Sequence, residues 1–209
     1  MYQIILASGS PRRKEIMETM DIPYQVITSD VKEETEETVP AKKVQALASL
    51  KANAVLPQVR KLAKEYEQSE EQTEFIIIGA DTMVFYKEHV MGKPKDEQDA
   101  ARMLRLLSND THEVYTGVSI VVLKADGTVE DWKLAACTKV VVRPLSEEQI
   151  KDYISTGEPM DKAGAYAIQG KFGIYISEII GDYYNIVGFP IAKIYDTLLE
   201  HGIDMKKLG

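Results

Sequence analysis

Apolar residues recur along the chain in two rhythms, continuous short runs and spacings of three and four, which mark strands and amphipathic helices respectively. Residues 2–7 form a short apolar run that predicts a buried strand, followed by a Ser8-Gly9-Ser10 turn. Ser10 before Pro11 reads as a helix start, with Ser at the N-cap and Pro at the first helical position. Ile16, Met17 and Met20 then give that helix one apolar face. A second strand is predicted at 24–28. An acidic loop over 30–37 leads to Pro40 and a helix carrying Val44, Leu47, Ala48 and Val55. Pro57 is expected to kink or restart this helix, with 58–72 a polar, exposed extension. Residues 75–78 are continuously apolar, as in a strand covered on both faces, and run into Gly79-Ala80-Asp81-Thr82.

Farther along, 83–86 and 90–91 predict a hairpin around Lys87-Glu88-His89, and 96–107 an amphipathic helix with Ala100, Met103, Leu104 and Leu107 on one side. Segments 114–123 and 129–142 are long β-rich arms joined at Ala125-Asp126-Gly127. Ser146-Glu147-Glu148-Gln149 is a capping box. Strands are predicted at 165–169 and 174–179, and a last helix from Pro190 to a glycine stop at His201-Gly202. Strands and helices mixed around long antiparallel arms predict an α/β (mixed α+β) fold with a mixed sheet and two lobes around a cleft. The 209 residues fit one such domain, without internal repeats.

Charge changes this picture in one respect. The net charge of −8 argues against a nucleic-acid partner, so an anionic ligand would need a local cationic pocket in a repulsive overall field. Cys137 is the only cysteine, which suits a reducing compartment. No apolar run approaches the ~20 residues needed to span a membrane. Basic residues follow the first apolar segment rather than precede it, unlike a secretory signal. These features predict a cytoplasmic protein without a membrane partner.

The cationic pocket has an obvious candidate in Ser8-Gly9-Ser10-Pro11-Arg12-Arg13. A strand, a small-residue turn and a helix N-terminus aim backbone N–H groups at one point. Arginines there oppose the helix dipole at a cost of about 0.3–1 kcal/mol per charge, a conflict that an anion removes. A solvated basic turn is the plainer alternative, and the Ser-Gly-Ser turn behind a buried strand tips the balance to phosphate. Asp81 leaves the predicted strand where open α/β sheets place ligands, although capping a turn would explain it equally well. Glu33, Glu34, Glu36 and Glu37 are mostly solvated charge, yet one of them can join Asp81 around a hard cation such as Mg²⁺ or Mn²⁺. Zinc is disfavoured, because the three histidines are widely spaced. Lys51 alone reads as a surface residue. Gly92-Lys93-Pro94 fixes the backbone around one ammonium, but it is no P-loop. Over 161–190, glycines permit tight turns, and Gln169 reads either as a hairpin residue or as an amide facing a nucleobase.

Together these segments resemble the Maf family over essentially the whole chain. The resemblance rests on Ala7-Ser8-Gly9-Ser10-Pro11-Arg12-Arg13, Gly79-Ala80-Asp81-Thr82, Gly92-Lys93-Pro94 and Asp161-Lys162-Ala163-Gly164-Ala165-Tyr166 with Ile168-Gln169-Gly170. His112-Glu113-Val114-Tyr115-Thr116-Gly117 and Asn185-Ile186-Val187-Gly188-Phe189-Pro190 also fit. It implies a metal-dependent nucleoside triphosphate pyrophosphatase, similar in architecture to inosine triphosphate pyrophosphatases and often a homodimer. By the same resemblance, Asp81 and Glu33 serve the metal and the attacking water. Ser8, Ser10, Arg12, Arg13, Lys51 and Lys93 hold phosphates, while Arg12, Thr82 and Gln169 match the subgroup acting on dTTP and UTP. A nucleotide-sensing regulator of septum formation, with slow hydrolysis, is the alternative from another class. A purine-directed pyrophosphatase is a third, and Gln169 counts against it. Two departures stand out: a longer, more polar stretch at 57–74, expected to be a surface insertion, and an acid at Asp182 where a serine is expected.

Overall fold

The computed structural model describes residues 1–66, 73–87 and 89–208. Its strands β1 (Tyr2–Leu6), β2 (Gln25–Val26), β3 (Glu74–Tyr86), β4 (His89–Met91), β5 (Thr111–Leu123), β6 (Val129–Val142) and β7 (Ile176–Ile180) order as β2-β1-β3-β5-β6-β7, with β4 on β3. Pairing is parallel between β1 and its neighbours and antiparallel at β3–β4 and β6–β7, so the sheet is mixed, as expected. The chain divides into two compact units, residues 1–81, 116–136 and 188–209 forming one and residues 82–115 and 137–187 the other.

The first unit begins with β1 (Tyr2–Leu6), α1 (Pro11–Thr19), β2 (Gln25–Val26) and α2 (Pro40–Tyr66). It takes in the start of β3 (Glu74–Tyr86) and the turn between β5 (Thr111–Leu123) and β6 (Val129–Val142). That turn is closed by Lys124 N–H donating to the Thr128 carbonyl at 2.9 Å. The core is apolar and mostly aliphatic around one aromatic ring, with Ile5, Ala52, Val55, Phe75, Ile77 and Val121 fully buried.

Two glycines set how closely α2 lies on the strands. A Cβ on Gly79 would stand 2.5 Å from the Ala48 carbonyl oxygen and 2.7 Å from the Ala52 nitrogen. One on Gly117 would stand 2.3 Å from the Val44 carbonyl carbon. Only hydrogen fits at either place. The helix also runs through Pro57 to Tyr66. An interior proline costs ~3 kcal/mol, and packing outweighs it: Val59 is fully buried, and Leu56, Leu62, Ala63 and Tyr66 lie against the core. Residues 57–66 therefore continue the helix with one face on the core, while Pro57, Gln58, Arg60, Lys61, Lys64 and Glu65 are exposed, so the expected extension is helical and exposed on its outer face. Residues 67–72 of that stretch lie outside the described residues.

The second unit holds β4 (His89–Met91), α3 (Glu97–Leu107), α4 (Glu147–Ser155), β7 (Ile176–Ile180) and α5 (Tyr183–Val187). The β3–β4 hairpin pairs Tyr86 with His89, as its sequence predicts, though Glu88 of its turn lies outside the described residues. Asp96 caps α3 by accepting from Asp99 N–H at 2.8 Å, and the capping box at Ser146 is fully formed. Tyr153, Tyr166, Phe172 and Tyr175 make a chain of ring contacts with centroids 5.0–5.4 Å apart. The strand expected at 165–169 is absent. Residues 163–165 and 171–175 form 3-10 turns, because Gly164 (φ +71°) and Ala165 (φ +61°) take left-handed conformations that end any extended run. The final helix, α6 (Ile191–Glu200), belongs to the first unit and ends at Gly202 (φ +78°).

Candidate active site

Asp81 is the centre of the candidate site, and the glycine two residues before it explains its partner. Side chains two apart on a strand share a face, so Asp81 projects on the side where α2 meets Gly79. Lys51 lies one helical turn after Ala48 and beside Ala52, the residues in contact there, and its ammonium donates to Asp81 Oδ1 at 2.7 Å. The same ammonium lies 2.8 Å from Glu33 Oε2. Lys51 thus bridges two carboxylates, one buried (Asp81 side chain 9% exposed) and one in the loop (Glu33, 53%). A lysine that looks like a surface residue in sequence is a central residue in space.

Asp81 does not stand at the end of a strand. β3 continues unbroken through it to Tyr86, because Gly79, which reads with Ala80 as a turn, is instead where α2 leaves room only for hydrogen. That removes the turn-capping explanation. Asp81 Oδ2 is buried with no hydrogen-bond partner, an expensive arrangement for a carboxylate. Thr82, the next residue, alternates to the opposite face of β3.

The N-terminal turn supplies the cations. Ser8 is buried, and its hydroxyl oxygen accepts from Arg13 Nη1 at 2.8 Å and from Ser10 N–H at 3.3 Å. Arg13 Nε donates to the Gly188 carbonyl at 2.8 Å. Burial pulls the Arg13 guanidinium below its ordinary pKa, an effect opposed by the Asp81 and Glu33 carboxylates and reinforced by Arg12. It remains charged nonetheless. Ser10 occupies the N-cap position of α1, but its side chain makes no capping bond, contrary to expectation. The first helical turn also contains no acid to balance Arg12 and Arg13. Both features leave the helix start suited to an anion.

Of the residues singled out in sequence, Ser8, Ser10, Arg12, Arg13, Glu33, Lys51 and Asp81 fall in the first unit. Ser8, Arg13, Lys51, Glu33 and Asp81 are joined by the contacts above. Thr82, Lys93 and Gln169 belong to the second unit, Lys93 and Gln169 exposed and Thr82 half-buried. In that unit Gly164 N–H donates to the Gly92 carbonyl at 3.1 Å, tying the Gly92-Lys93-Pro94 turn to the segment that carries Gln169. The unexpected Asp182 has a structural task. Its Oδ1 accepts from Tyr184 N–H at 2.8 Å, and its backbone brackets the Thr138 hydroxyl at 2.9 and 3.1 Å.

Two features escaped the sequence reading. Gly188 contributes through its carbonyl, which no side-chain pattern signals. His112 is buried and shares a 2.7 Å hydrogen bond with the Tyr166 hydroxyl through Nε2, while burial pushes its pKa down to about 4. Among the described residues no three His, Cys, Asp or Glu side chains cluster as a ready-made metal cage. The donors that do fit a hard divalent cation are the free Asp81 Oδ2 and the Glu33 carboxylate, both oxygens, as Mg²⁺ or Mn²⁺ prefers. Among the described residues, no helix is long and apolar enough to cross a membrane.

A dTTP/UTP pyrophosphatase of Lachnoclostridium phytofermentans is 49% identical over 207 residues, 99% of each chain. Another, from Agathobacter rectalis, is 43% identical over 205 residues, 98% of this chain and 100% of that one. Among solved structures, a HAM1 protein from Coxiella burnetii aligns over 96% of this chain and 100% of its own, with a TM-score of 0.48 and 11% identity. The model of Maf-like proteins matches residues 3–201, nearly end to end, and with relatives of this closeness the chain belongs to the Maf family.

Proposed function

We propose that the protein hydrolyses nucleoside triphosphates, dTTP and UTP foremost, to the monophosphate and pyrophosphate with the help of a divalent cation. The observation that carries this reading is Asp81: a buried carboxylate with one oxygen tied to Lys51 and the other left without a partner, in a protein whose relatives bear the name dTTP/UTP pyrophosphatase. An orphaned carboxylate oxygen is costly to maintain for stability alone, and a proton or a cation is what it can take up.

Water attacks the α-phosphorus, the bond from that phosphorus to the α–β bridging oxygen breaks, and pyrophosphate leaves. Asp81 positions the attacking water by accepting a hydrogen bond from it on the remaining lone pair of Oδ2, and the water's proton passes on to solvent. Lys51 holds Asp81 Oδ1 and so fixes the direction in which Oδ2 points. Arg13, anchored through Nε and Nη1, and Arg12 at the start of α1 oppose the negative charge that builds on the phosphates. Asp81 and Glu33 are the residues that would hold the cation, which when bound supplies Lewis-acid stabilisation and a more acidic water. Ser10 and Lys93 are assigned to phosphate binding, and Thr82 and Gln169 with Arg12 to base selection, on the strength of the family resemblance.

Incubation of UTP with the protein and Mg²⁺ or Mn²⁺ should yield UMP and pyrophosphate in equal amounts, and a chelator should stop the reaction. UDP and orthophosphate as products would overturn the assignment of the cleaved bond. Tight binding without turnover would favour the sensing alternative.

A further inference from the structure

We infer that Gly188 is a positioning residue for the site: its carbonyl aims the Arg13 guanidinium at the phosphates, and only glycine can present that carbonyl. This rests on the proposed phosphate-binding role of Arg13. The geometry is local to the first unit. Arg13 projects from the first turn of α1 and is gripped at two corners, Nη1 by the Ser8 hydroxyl at 2.8 Å and Nε by the Gly188 carbonyl at 2.8 Å. A guanidinium is a rigid planar fork, so two fixed nitrogens define the plane and heading of the whole group.

Gly188 is built for this task. Its φ is +109°, a conformation that side-chain-bearing residues rarely adopt. The residue is buried, and the chain after it is fixed: Phe189 is fully buried and Pro190 immediately precedes α6. A residue forced toward negative φ would rotate the peptide plane and carry the carbonyl away from Nε. The glycine thus acts on Arg13 through its backbone orientation, with no side chain of its own involved.

The test reads binding of inorganic pyrophosphate by calorimetry alongside UTP turnover, in the full-length protein. Gly188→Ala should weaken pyrophosphate binding by roughly tenfold, the size of one charge-assisted hydrogen bond, and lower kcat/KM for UTP in parallel. Gly188→Asn, which tolerates positive φ better than Ala, should fall between wild type and Gly188→Ala and gives a folded variant should Ala prove too disruptive. Combined with Arg13→Ala, neither Gly188 substitution should weaken binding further, because the group it positions is gone. Gly202→Ala, at φ +78° in the same unit, supplies comparable backbone strain and should lower the melting temperature without altering pyrophosphate affinity. Additive losses in the double variants would show that Gly188 acts by general destabilisation and would overturn the inference. If Arg13→Ala itself leaves pyrophosphate binding intact, the phosphate role of Arg13 fails, and the positioning role falls with it.

Discussion

Replacing Gly79 by alanine tests whether close packing of α2 on β3 builds the site. Gly79 is in ordinary extended backbone within β3, so an alanine there carries no left-handed strain and the whole effect must come from contact. The new methyl would meet the Ala48 carbonyl oxygen at 2.5 Å, the Ala52 nitrogen at 2.7 Å and the Ala52 Cβ at 2.9 Å. Two of these are backbone atoms, which no rotamer change can move aside. Carbon contacts are comfortable near 3.5 Å, so α2 must retreat by about 1 Å. Overpacking of this kind costs ~1–3 kcal/mol, and in a chain of this size each kcal/mol is worth about 2–4 °C, giving a fall of roughly 2–12 °C in melting temperature. The same retreat stretches the 2.7 Å contact from Lys51 to Asp81 beyond hydrogen-bond range, so turnover should fall as well. Circular-dichroism melts and urea titrations with an unchanged m value would measure the first effect, and UTP hydrolysis the second. Gly92→Ala is the matched control, since nothing lies within 4 Å of its Cβ position. It should melt unchanged or higher by the equivalent of about 0.4–1 kcal/mol. A Gly79→Ala protein that melts and turns over like the wild type would refute the idea that helix proximity places Lys51.

Asp81→Asn should reduce kcat by ~10²–10⁴-fold while thermal melting hardly moves, because the lost ion pair is offset by relief of a buried, unpartnered carboxylate oxygen. A large melting change with activity retained would make Asp81 a structural residue. His112 gives a pH prediction: its pKa in the fold is about 4, below the ordinary 6.5. The unfolded chain therefore takes up its proton first as pH falls, and stability declines between about 6.5 and 4, by up to about 3 kcal/mol, then stays level with respect to this group. Denaturant unfolding across that window should show the decline, and His112→Gln, which still offers the Tyr166 hydroxyl a partner, should lose it. Gln169→Glu should lower the ratio of UTP to CTP specificity constants, because a carboxylate accepts from the cytosine amino group and repels O4. A bidentate base contact discriminates by ~1–3 kcal/mol, about 5- to 150-fold, and an unchanged ratio would leave Gln169 as a turn residue only.

Local signals in the sequence translated well where the chemistry is local. The strand–turn–helix at Ser8, the Ser146 capping box and the Gly202 stop each depend on neighbours within a few residues. Gly79-Ala80 misled for the opposite reason. Small residues mark a tight turn or a close approach with equal force, and only the position of α2, some thirty residues earlier, separates the two readings. Pro57 misled similarly, since propensity argues for a break and the burial of Val59 argues against one. The failed strand at 165–169 turns on the left-handed Ala165, a conformation unusual for alanine. In the site, the acid and the basic turn were visible as residue types, whereas the central place of Lys51 and the carbonyl of Gly188 arise from packing.

The bridge made by Lys51 also has a tempo. Its two contacts are of nearly equal length, 2.7 and 2.8 Å, but not of equal lifetime. The Asp81 arm is anchored in a buried strand, and there the ammonium stays. The Glu33 arm reaches a half-exposed carboxylate on a loop without regular structure, where ion pairs are worth ~0.2–1 kcal/mol, enough to keep the contact closed roughly 60–85% of the time. Loops open and close in nanoseconds to microseconds, and salt shortens the closed intervals. On those timescales Glu33 is expected to leave and return about a thousand to a million times within a millisecond event, while Asp81 waits in place.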